Sequence, residues 1–102
     1  MNEYKVTVSN RAKLMLGEHL KFIAQIDKTA AKKTEKRFLE SFRSLRVLAE
    51  RYPFIEDECI ESCKYRKMFV ENWYLVIYSI SDSVVHIDYI LDCRQDYAWL
   101  LR

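Results

Sequence analysis

Residues 65–91 read YRKMFVENWYLVIYSISDSVVHIDYIL and are dense in β-branched and aromatic side chains. Such side chains favour extended strands. Asn72 and the Ser81–Ser83 triplet interrupt the run with residues typical of turns. The pattern therefore predicts three strands in succession, over Lys64–Glu71, Trp73–Ile80 and Val84–Leu91. Strands joined by such short turns pair antiparallel.

The third predicted strand alternates apolar and polar side chains. Strict alternation places Val85, Ile87, Tyr89 and Leu91 on one apolar face and leaves His86 and Asp88 on the other. We expect His86 and Asp88 to be exposed or to lie on a binding face. Their neighbours on the middle strand depend on the register, because a slip of one residue would exchange the two faces.

The first half of the chain predicts one strand and two helices. Residues 4–8 alternate like a half-buried strand, and Ser9 or Asn10 can cap a helix over residues 11–25. After a short break at Asp27–Ala30, a second helix is predicted to continue to about Glu50. The first apolar stripe comprises Leu16, Leu20, Ile23 and Ile26, widened by Leu14 and Phe22. The second comprises Ala31, Thr34, Phe38, Phe42, Leu45 and Leu48, with Leu39 and Ala49 beside it.

Pro53 is predicted to end the helical region, and the acidic residues 54–62 are predicted to form a loop. The resulting order, β-α-α-β-β-β, predicts an α+β fold. In this fold a helical hairpin packs on one face of a mostly antiparallel four-stranded sheet. The other face stays partly open for a ligand or partner. With 102 residues, the chain has the length of a single domain, and we assign residues 1–102 to it.

Composition and charge narrow the functional classes. No apolar run is long enough to span a membrane and no signal peptide precedes the first strand, so we expect a cytoplasmic protein. Residues 1–51 hold 12 Lys or Arg against 6 Asp or Glu, whereas residues 52–102 hold 5 against 9. A basic first half can attract nucleic acid or an acidic partner, although the spacing by itself favours a solvated, lysine-rich helix face.

The three cysteines predict neither a disulfide framework nor a metal centre. Cys59, Cys63 and Cys93 are odd in number and lack CxxC spacing, so that even with His86 they do not form the paired ligands of a structural zinc site. A cytosolic compartment would keep them reduced. We predict no metal and no cofactor.

The run from Tyr65 to Tyr78 resembles the RelE/ParE superfamily of toxins from type II toxin–antitoxin and plasmid stabilization systems. Members have a basic strand, a short turn and a strand of Tyr-x-hydrophobic-hydrophobic-Tyr type. Residues 90–97 resemble the last strand of the family, which runs into an arginine-bearing tail, and residues 98–101 resemble its hydrophobic end. The resemblance covers nearly the whole chain in element order and about a third of it in residue pattern.

The resemblance implies a RelE-like mRNA interferase, a metal-independent endoribonuclease that cuts messenger RNA on the ribosome. In this reaction the ribose 2′-OH attacks the adjacent phosphate, which requires cations, a proton acceptor and an acid. The catalytic candidates are Arg66, Arg94 and Tyr97, and weaker candidates for substrate binding are Lys64, Lys67 and His86. Met68 and Leu75 occupy positions where active family members carry cations, so the catalytic set is incomplete.

The sequence also allows other roles for these residues and for the protein as a whole. Arg66 and Arg94 could pair with Asp88, Asp92 or Glu71, or could receive an acidic antitoxin segment, and Tyr97 with Trp99 could fasten the C-terminal tail. The resemblance equally implies a ParE-like inhibitor that binds DNA gyrase without catalysis, or a decayed member that serves as a transcriptional co-repressor. All three roles predict a cognate antitoxin as partner, with ribosome-bound mRNA or gyrase as the target.

Overall fold

The computed structural model describes residues 3–56 and 63–93. Its elements are β1 (Lys5–Val8), α1 (Asn10–Ile26), α2 (Lys28–Leu48), a 3₁₀ turn (Ala49–Arg51), β2 (Arg66–Val70), β3 (Tyr74–Ser81) and β4 (Val84–Asp92). The strands form one sheet in the order β1-β4-β3-β2. The pairs β2–β3 and β3–β4 are antiparallel, and β1 lies parallel to β4. The predicted α+β fold, a helical pair on a mostly antiparallel sheet, is confirmed.

A single residue, Asp27, joins the two helices. Its backbone N–H donates to the Ile23 carbonyl at 2.8 Å and so closes α1. Its side chain accepts from the backbone N–H groups of Thr29 and Ala30 at 2.9 and 3.2 Å and so caps α2. The break is therefore shorter than the predicted Asp27–Ala30. Within residues 3–56 and 63–93, neither helix is long and apolar enough to cross a membrane.

The helices cover one face of the sheet and form the core with it. The rings of Phe38 and Tyr74 lie 5.3 Å apart between α2 and β3. The buried members of the core cluster include Phe38, Phe42, Leu45, Met68, Val70, Tyr74, Val76, Tyr78, Val85, Ile87 and Ile90. The predicted stripe of α2 is correct at Phe38, Phe42 and Leu45 and wrong at Leu48, which is exposed. The predicted stripe of α1 is wrong at Leu14, Phe22 and Ile26, and Ile26, the last residue of the helix, is 79% exposed.

Tight turns set the registers of both hairpins. Asp82 and Ser83 have φ values of 52° and 63°, and Ser81 pairs with Val84 across a two-residue loop. Positive φ at both central residues is the requirement of a type I′ turn, whose twist matches that of the strands. The β2–β3 turn likewise has positive φ at Glu71 and Asn72.

A β-bulge in β4 changes the predicted faces of that strand. The register shifts between Ile77 and Tyr78, which pair with Tyr89 and Ile87, so that Asp88 is the extra residue. One inserted residue reverses the alternation that follows it. Val85 and Ile87 therefore share the helix-covered face with Ile90, as the core cluster shows. The prediction that Tyr89 and Leu91 lie on the same face as Val85 and Ile87 is wrong. Tyr89 and Leu91 lie with His86 on the opposite face of the sheet.

Candidate functional site

Arg66 lies on the helix-covered face of β2, in alternation with the core residues Met68 and Val70. Its guanidinium donates to the carbonyls of Tyr52 and Glu50 at 2.6 and 3.1 Å. It also stacks over the Phe54 ring, 3.9 Å from the centroid. These contacts fasten the segment after the 3₁₀ turn to the edge of the sheet. They involve carbonyls and a ring rather than the carboxylates that the sequence offered as partners.

The segment that Arg66 fastens also pairs with β2 through its backbone. Phe54 forms an isolated antiparallel bridge with Arg66. The Ile55 N–H donates to the Tyr65 carbonyl at 2.7 Å, and the Lys67 N–H donates to the Pro53 carbonyl at 3.1 Å. The predicted loop therefore begins with a short pairing that covers the outer edge of β2. A covered edge cannot pair with another chain there.

The weaker candidates lie away from the core. Lys67 lies on the open face, the face opposite the helices, in a row with Ile77 and Tyr89 across β3 and β4. His86 lies on the same face in β4, and its Nδ1 is 3.3 Å from the Thr7 hydroxyl. Lys64 is exposed, with its ammonium 5.3 Å from the Tyr65 ring centroid. Arg94 and Tyr97 lie outside the described residues.

The bulge at Asp88 joins the start of α1 to the open face. The Ser9 hydroxyl caps α1 by accepting from the Ala12 N–H at 3.0 Å, and it lies 3.3 Å from the Asp88 carbonyl, to which it donates. The Arg11 Nε donates to the same carbonyl at 3.2 Å. A bulge leaves one carbonyl outside the ladder, and these two donors satisfy it.

Four side chains meet around this bulge, and we call them the bulge cluster: Arg11, Tyr65, Asp88 and Tyr89. The Arg11 guanidinium lies over the Tyr89 ring, 3.9 Å from the centroid. Tyr65 lies close enough to Asp88 for the charge of that carboxylate to act on its phenol. Partial burial, followed by the negative charge of Asp88, raises the pKa of Tyr65, so this phenol stays protonated at neutral pH.

The bulge cluster combines groups that phosphodiester cleavage uses. Asp88 supplies a carboxylate that can accept a proton, Tyr65 supplies a phenol that can donate one, and Arg11 supplies a permanent cation. Lys67 adds a second cation on the same face. Tyr89 separates Arg11 from Lys67: the Arg11 guanidinium lies over the Tyr89 ring, and Tyr89 pairs with Ile77, which in turn pairs with Lys67. Neighbouring strands lie about 4.8 Å apart, so the Cα atoms of Lys67 and Tyr89 are about 10 Å apart.

Sequence reasoning did not assign Arg11 or Tyr65 to a site. Arg11 lies two residues after the helix cap Ser9, and no motif links it to a strand that is 77 residues away in sequence. Tyr65 had a usable signal, since it precedes Arg66 and so belongs to the opposite face. To use that signal, one must know on which face of the sheet Arg66 lies, and only the packed sheet shows this.

Met68 and Leu75 supply no cation to either face. Met68 is buried at 2% exposure in the core, and Leu75 lies on the open face between Phe69 and Leu91. Phe69, Leu75 and Leu91 form an apolar row across the sheet, next to the row that contains Lys67. The end of the open face at the β2–β3 turn is therefore apolar, and the polar groups lie towards the bulge.

The structure brings no metal ligands together in the part of the chain it describes. Cys63 and Cys93 are exposed and form no disulfide with each other, and no group of three or more His, Cys, Asp or Glu side chains within residues 3–56 and 63–93 could hold an ion. Burial, followed by the charge of Asp92, raises the pKa of Cys93, which makes its thiolate scarcer. Cys59 lies outside the described residues.

Comparison with known proteins identifies a structural relative. No family model matches the chain, and no curated protein does. A solved chain described as "Chromosomal ParDE TA system from P. aeruginosa" superposes with a TM-score of 0.71 at 15% sequence identity. The match covers 88% of this chain and 96% of that chain. At this identity the likeness establishes a shared fold: an α+β fold with a helical pair on an open four-stranded sheet.

Proposed function

We propose that this protein is the toxin component of a type II toxin–antitoxin system. The observation that carries the proposal is the fold match, which spans 96% of a chain from a chromosomal ParDE TA system. The residue pattern between Tyr65 and Tyr78 supports the same class independently. A fold alone hosts many activities, so the mode of action has to be argued from the site.

For the mode of action, we propose metal-independent cleavage of messenger RNA on the ribosome through the bulge cluster. Asp88 is the proposed acceptor of the 2′-OH proton, because it lies in the bulge beside Tyr89 and its charge acts on the phenol of Tyr65, which stays protonated. Arg11 and Lys67 are the proposed cations for the developing negative charge. Arg94 and Tyr97 remain candidates from the sequence. Among the catalytic candidates predicted from the sequence, Arg66 has the least support, because its guanidinium donates to two backbone carbonyls.

A second candidate is inhibition of DNA gyrase by binding alone. The position of Arg66 and the apolar side chains of Met68 and Leu75 favour it, because catalysis would lose three cations that family members use. The two modes differ in what an enzyme assay detects. Purified protein should leave the supercoiling activity of gyrase intact if it acts on mRNA, and should leave mRNA uncut in a translating lysate if it acts on gyrase.

The decisive experiment measures mRNA cleavage by primer extension in a translating lysate. We expect the wild-type protein to cut, and Asp88→Asn to lose about a hundredfold or more in rate, since a positioned proton acceptor contributes roughly 10²–10⁴-fold. Asp82→Asn is the matched control. It makes the same chemical change at an exposed position in the β3–β4 turn, away from the bulge cluster. Cutting by Asp88→Asn at the wild-type rate would remove the bulge cluster from the mechanism.

Toxicity itself is tested by induced expression with and without the antitoxin. We expect growth arrest that is relieved by a small protein encoded next to this gene, with a DNA-binding N-terminus and a polar C-terminal tail. Harmless strong expression without any antitoxin would contradict the toxin assignment and would support the role of a decayed co-repressor.

A further inference from the structure

The outer face of α2 presents a row of cations that the proposed mechanism does not use. The helix contains seven Lys or Arg and two Glu. Arg37 forms an ion pair with Glu71 on the β2–β3 turn, and Arg46 forms one with Glu3. The other five, Lys28, Lys32, Lys33, Lys36 and Arg43, are all exposed.

We propose that this row, Lys28, Lys32, Lys36 and Arg43 with Lys33 beside it, is a docking surface for the phosphate backbone of a nucleic acid. The proposal does not depend on the toxin assignment, and it concerns a different surface. α2 packs on the helix-covered side of the sheet, whereas the bulge cluster faces the open side. A polyanion bound to α2 would therefore be a second contact and not the substrate of the cluster.

The geometry of the row suits a linear polyanion. At 3.6 residues per turn, Lys32, Lys36 and Arg43 lie within about 40° of one another around the axis, and Lys28 lies one turn earlier near the same line. With a rise of 1.5 Å per residue, the row from Lys28 to Arg43 extends about 22 Å along the helix. Duplex nucleic acid carries its phosphates at closely spaced intervals along a similar length, so several can be neutralised at once.

The cations of the row are available for an external ligand. Among residues 3–56 and 63–93, no carboxylate lies within 4.0 Å of any of the five. Glu35 and Glu40 are the acidic residues of the helix, and neither forms an ion pair with the row. Cations without intramolecular partners lose no ion pair on binding, and the release of counterions from the nucleic acid favours the complex.

A nucleic acid fits this surface better than an acidic protein segment. A protein interface requires a buried apolar centre, usually a pocket that receives an aromatic or aliphatic anchor. The exposed apolar residues nearest the row are Leu39 and Val47, about two turns of the helix apart, and neither lines the apolar groove that is found within residues 3–56 and 63–93. An apolar groove with a volume of about 250 Å³ lies elsewhere, between the tip of the helical hairpin and Trp73. Phosphate contacts need cations alone.

The test measures binding of the full chain to fluorescent 20-base-pair RNA and DNA duplexes of mixed sequence by anisotropy at several salt concentrations. We expect the wild-type log K to fall with log salt at a slope of about −3 to −4 on DNA, as four neutralised phosphates require. The variant K28Q/K32Q/K36Q/R43Q should bind roughly tenfold or more weakly at low salt, with a slope shallower by about 3.

A matched control separates the row from net charge. The variant K5Q/K13Q/K21Q/R51Q removes three exposed lysines and one exposed arginine outside α2, so its net charge equals that of the row variant. We expect it to retain most of the wild-type affinity and slope. If both variants lose affinity equally, or if the wild type binds neither duplex at low salt, the proposal fails.

Two further arms identify the ligand and guard against misfolding. RNA and DNA duplexes are compared directly, and preference for one of them names the source of the phosphates. Polyglutamate is the protein-like competitor: if it displaces the duplexes and itself binds more tightly, the surface is one for acidic protein and the proposal is wrong. Chemical shift changes in the wild-type protein should map to residues 28–43, and a map on other elements would overturn the proposal without any variant.

Discussion

The two faces of the sheet use similar residues for opposite purposes. On the helix-covered face, Tyr78 is fully buried and donates to the Ala49 carbonyl at 2.6 Å, and Arg66 donates to two carbonyls. On the open face, Tyr65 and Arg11 are accessible and lie around the bulge at Asp88. On the covered face, Tyr78 and Arg66 hold backbone in place through these bonds. On the open face, Arg11 also donates to a backbone carbonyl, that of Asp88, but Arg11 is exposed and Tyr65 is half-buried, so both can still reach a ligand.

The difference arises from what surrounds each polar group. The buried hydroxyl of Tyr78 must find an internal acceptor, because leaving it without one costs about 1–3 kcal/mol, and the half-buried guanidinium of Arg66 is under the same constraint to a smaller degree. Exposed groups have water as an alternative partner, so their internal contacts contribute little to stability. Residue type alone therefore does not distinguish a cation that holds backbone in place from one that can reach a ligand, and the surroundings of the side chain do.

The largest expected contrast compares two phenylalanines. Phe38→Ala on the covered side should lower the free energy of unfolding by about 3–5 kcal/mol, because it leaves a cavity next to Tyr74 and Phe42. Phe69→Ala on the open face should cost about 1 kcal/mol or less, since Phe69 is 56% exposed. Urea denaturation measures both. Equal losses would mean that the open face is as well packed as the core.

A second contrast compares adjacent cations on β2. Arg66→Met should lower the free energy of unfolding by about 2 kcal/mol, because two hydrogen bonds from a charged donor are lost while the side chain keeps its bulk. Lys67→Met should change it by about 0.5 kcal/mol or less. Growth arrest at equal soluble expression provides the second measurement: Lys67→Met should weaken it more than Arg66→Met. The reverse order would return Arg66 to the catalytic set.

The covered tyrosine predicts alkaline sensitivity. Burial raises the pKa of Tyr78 far above its usual value near 10, so its phenolate is disfavoured in the folded protein. Its contribution to stability is fully present below about pH 10 and is lost as the pH rises above that, by up to about 1.4 kcal/mol per pH unit. Tyr78→Phe should cost about 1–3 kcal/mol at pH 7 through the orphaned Ala49 carbonyl.

The predicted loss of stability with rising pH is tested by comparing the wild type with Tyr78→Phe across the alkaline range. Denaturation between pH 9 and pH 11 should show a shallower fall for Tyr78→Phe than for the wild type. Tyr65→Phe is the control on the open face, and it should leave the stability at pH 7 within about 0.5 kcal/mol of the wild type. Parallel curves for the wild type and Tyr78→Phe would show that Tyr78 ionises as easily in the folded state as in the unfolded chain.

The smallest expected effect lies where the two faces meet, at the bulge. Ser9→Ala removes the α1 cap and one donor to the Asp88 carbonyl, and should cost about 1 kcal/mol. Because Arg11 donates to the same carbonyl, the bulge itself should persist. We expect thermal melting to show the loss and mRNA cleavage to stay near the wild-type rate. A loss of cleavage as large as that of Asp88→Asn would mean that Ser9 positions the cluster.

Much of the fold followed from local pattern. The order of the elements, the core positions Phe38, Phe42 and Leu45, and the Ser81–Ser83 turn depend on spacing and turn chemistry that a short segment carries with it. The candidate site was harder to predict from the sequence. Arg66 and the bulge cluster depend on which face of a strand meets the helices and on an approach of Arg11 to Asp88 across 77 residues.

By itself, the sequence determined the α+β class, the three closing strands and the basic character of α2, because periodicity and charge are properties of consecutive residues. Only the tertiary structure decided the side of Arg66 and the face of Tyr89. Both depend on strand pairing, and the single bulge at Asp88 reverses the alternation beyond it. The physical reason is that a strand has period two, so one extra residue, invisible in the pattern, exchanges covered and open positions.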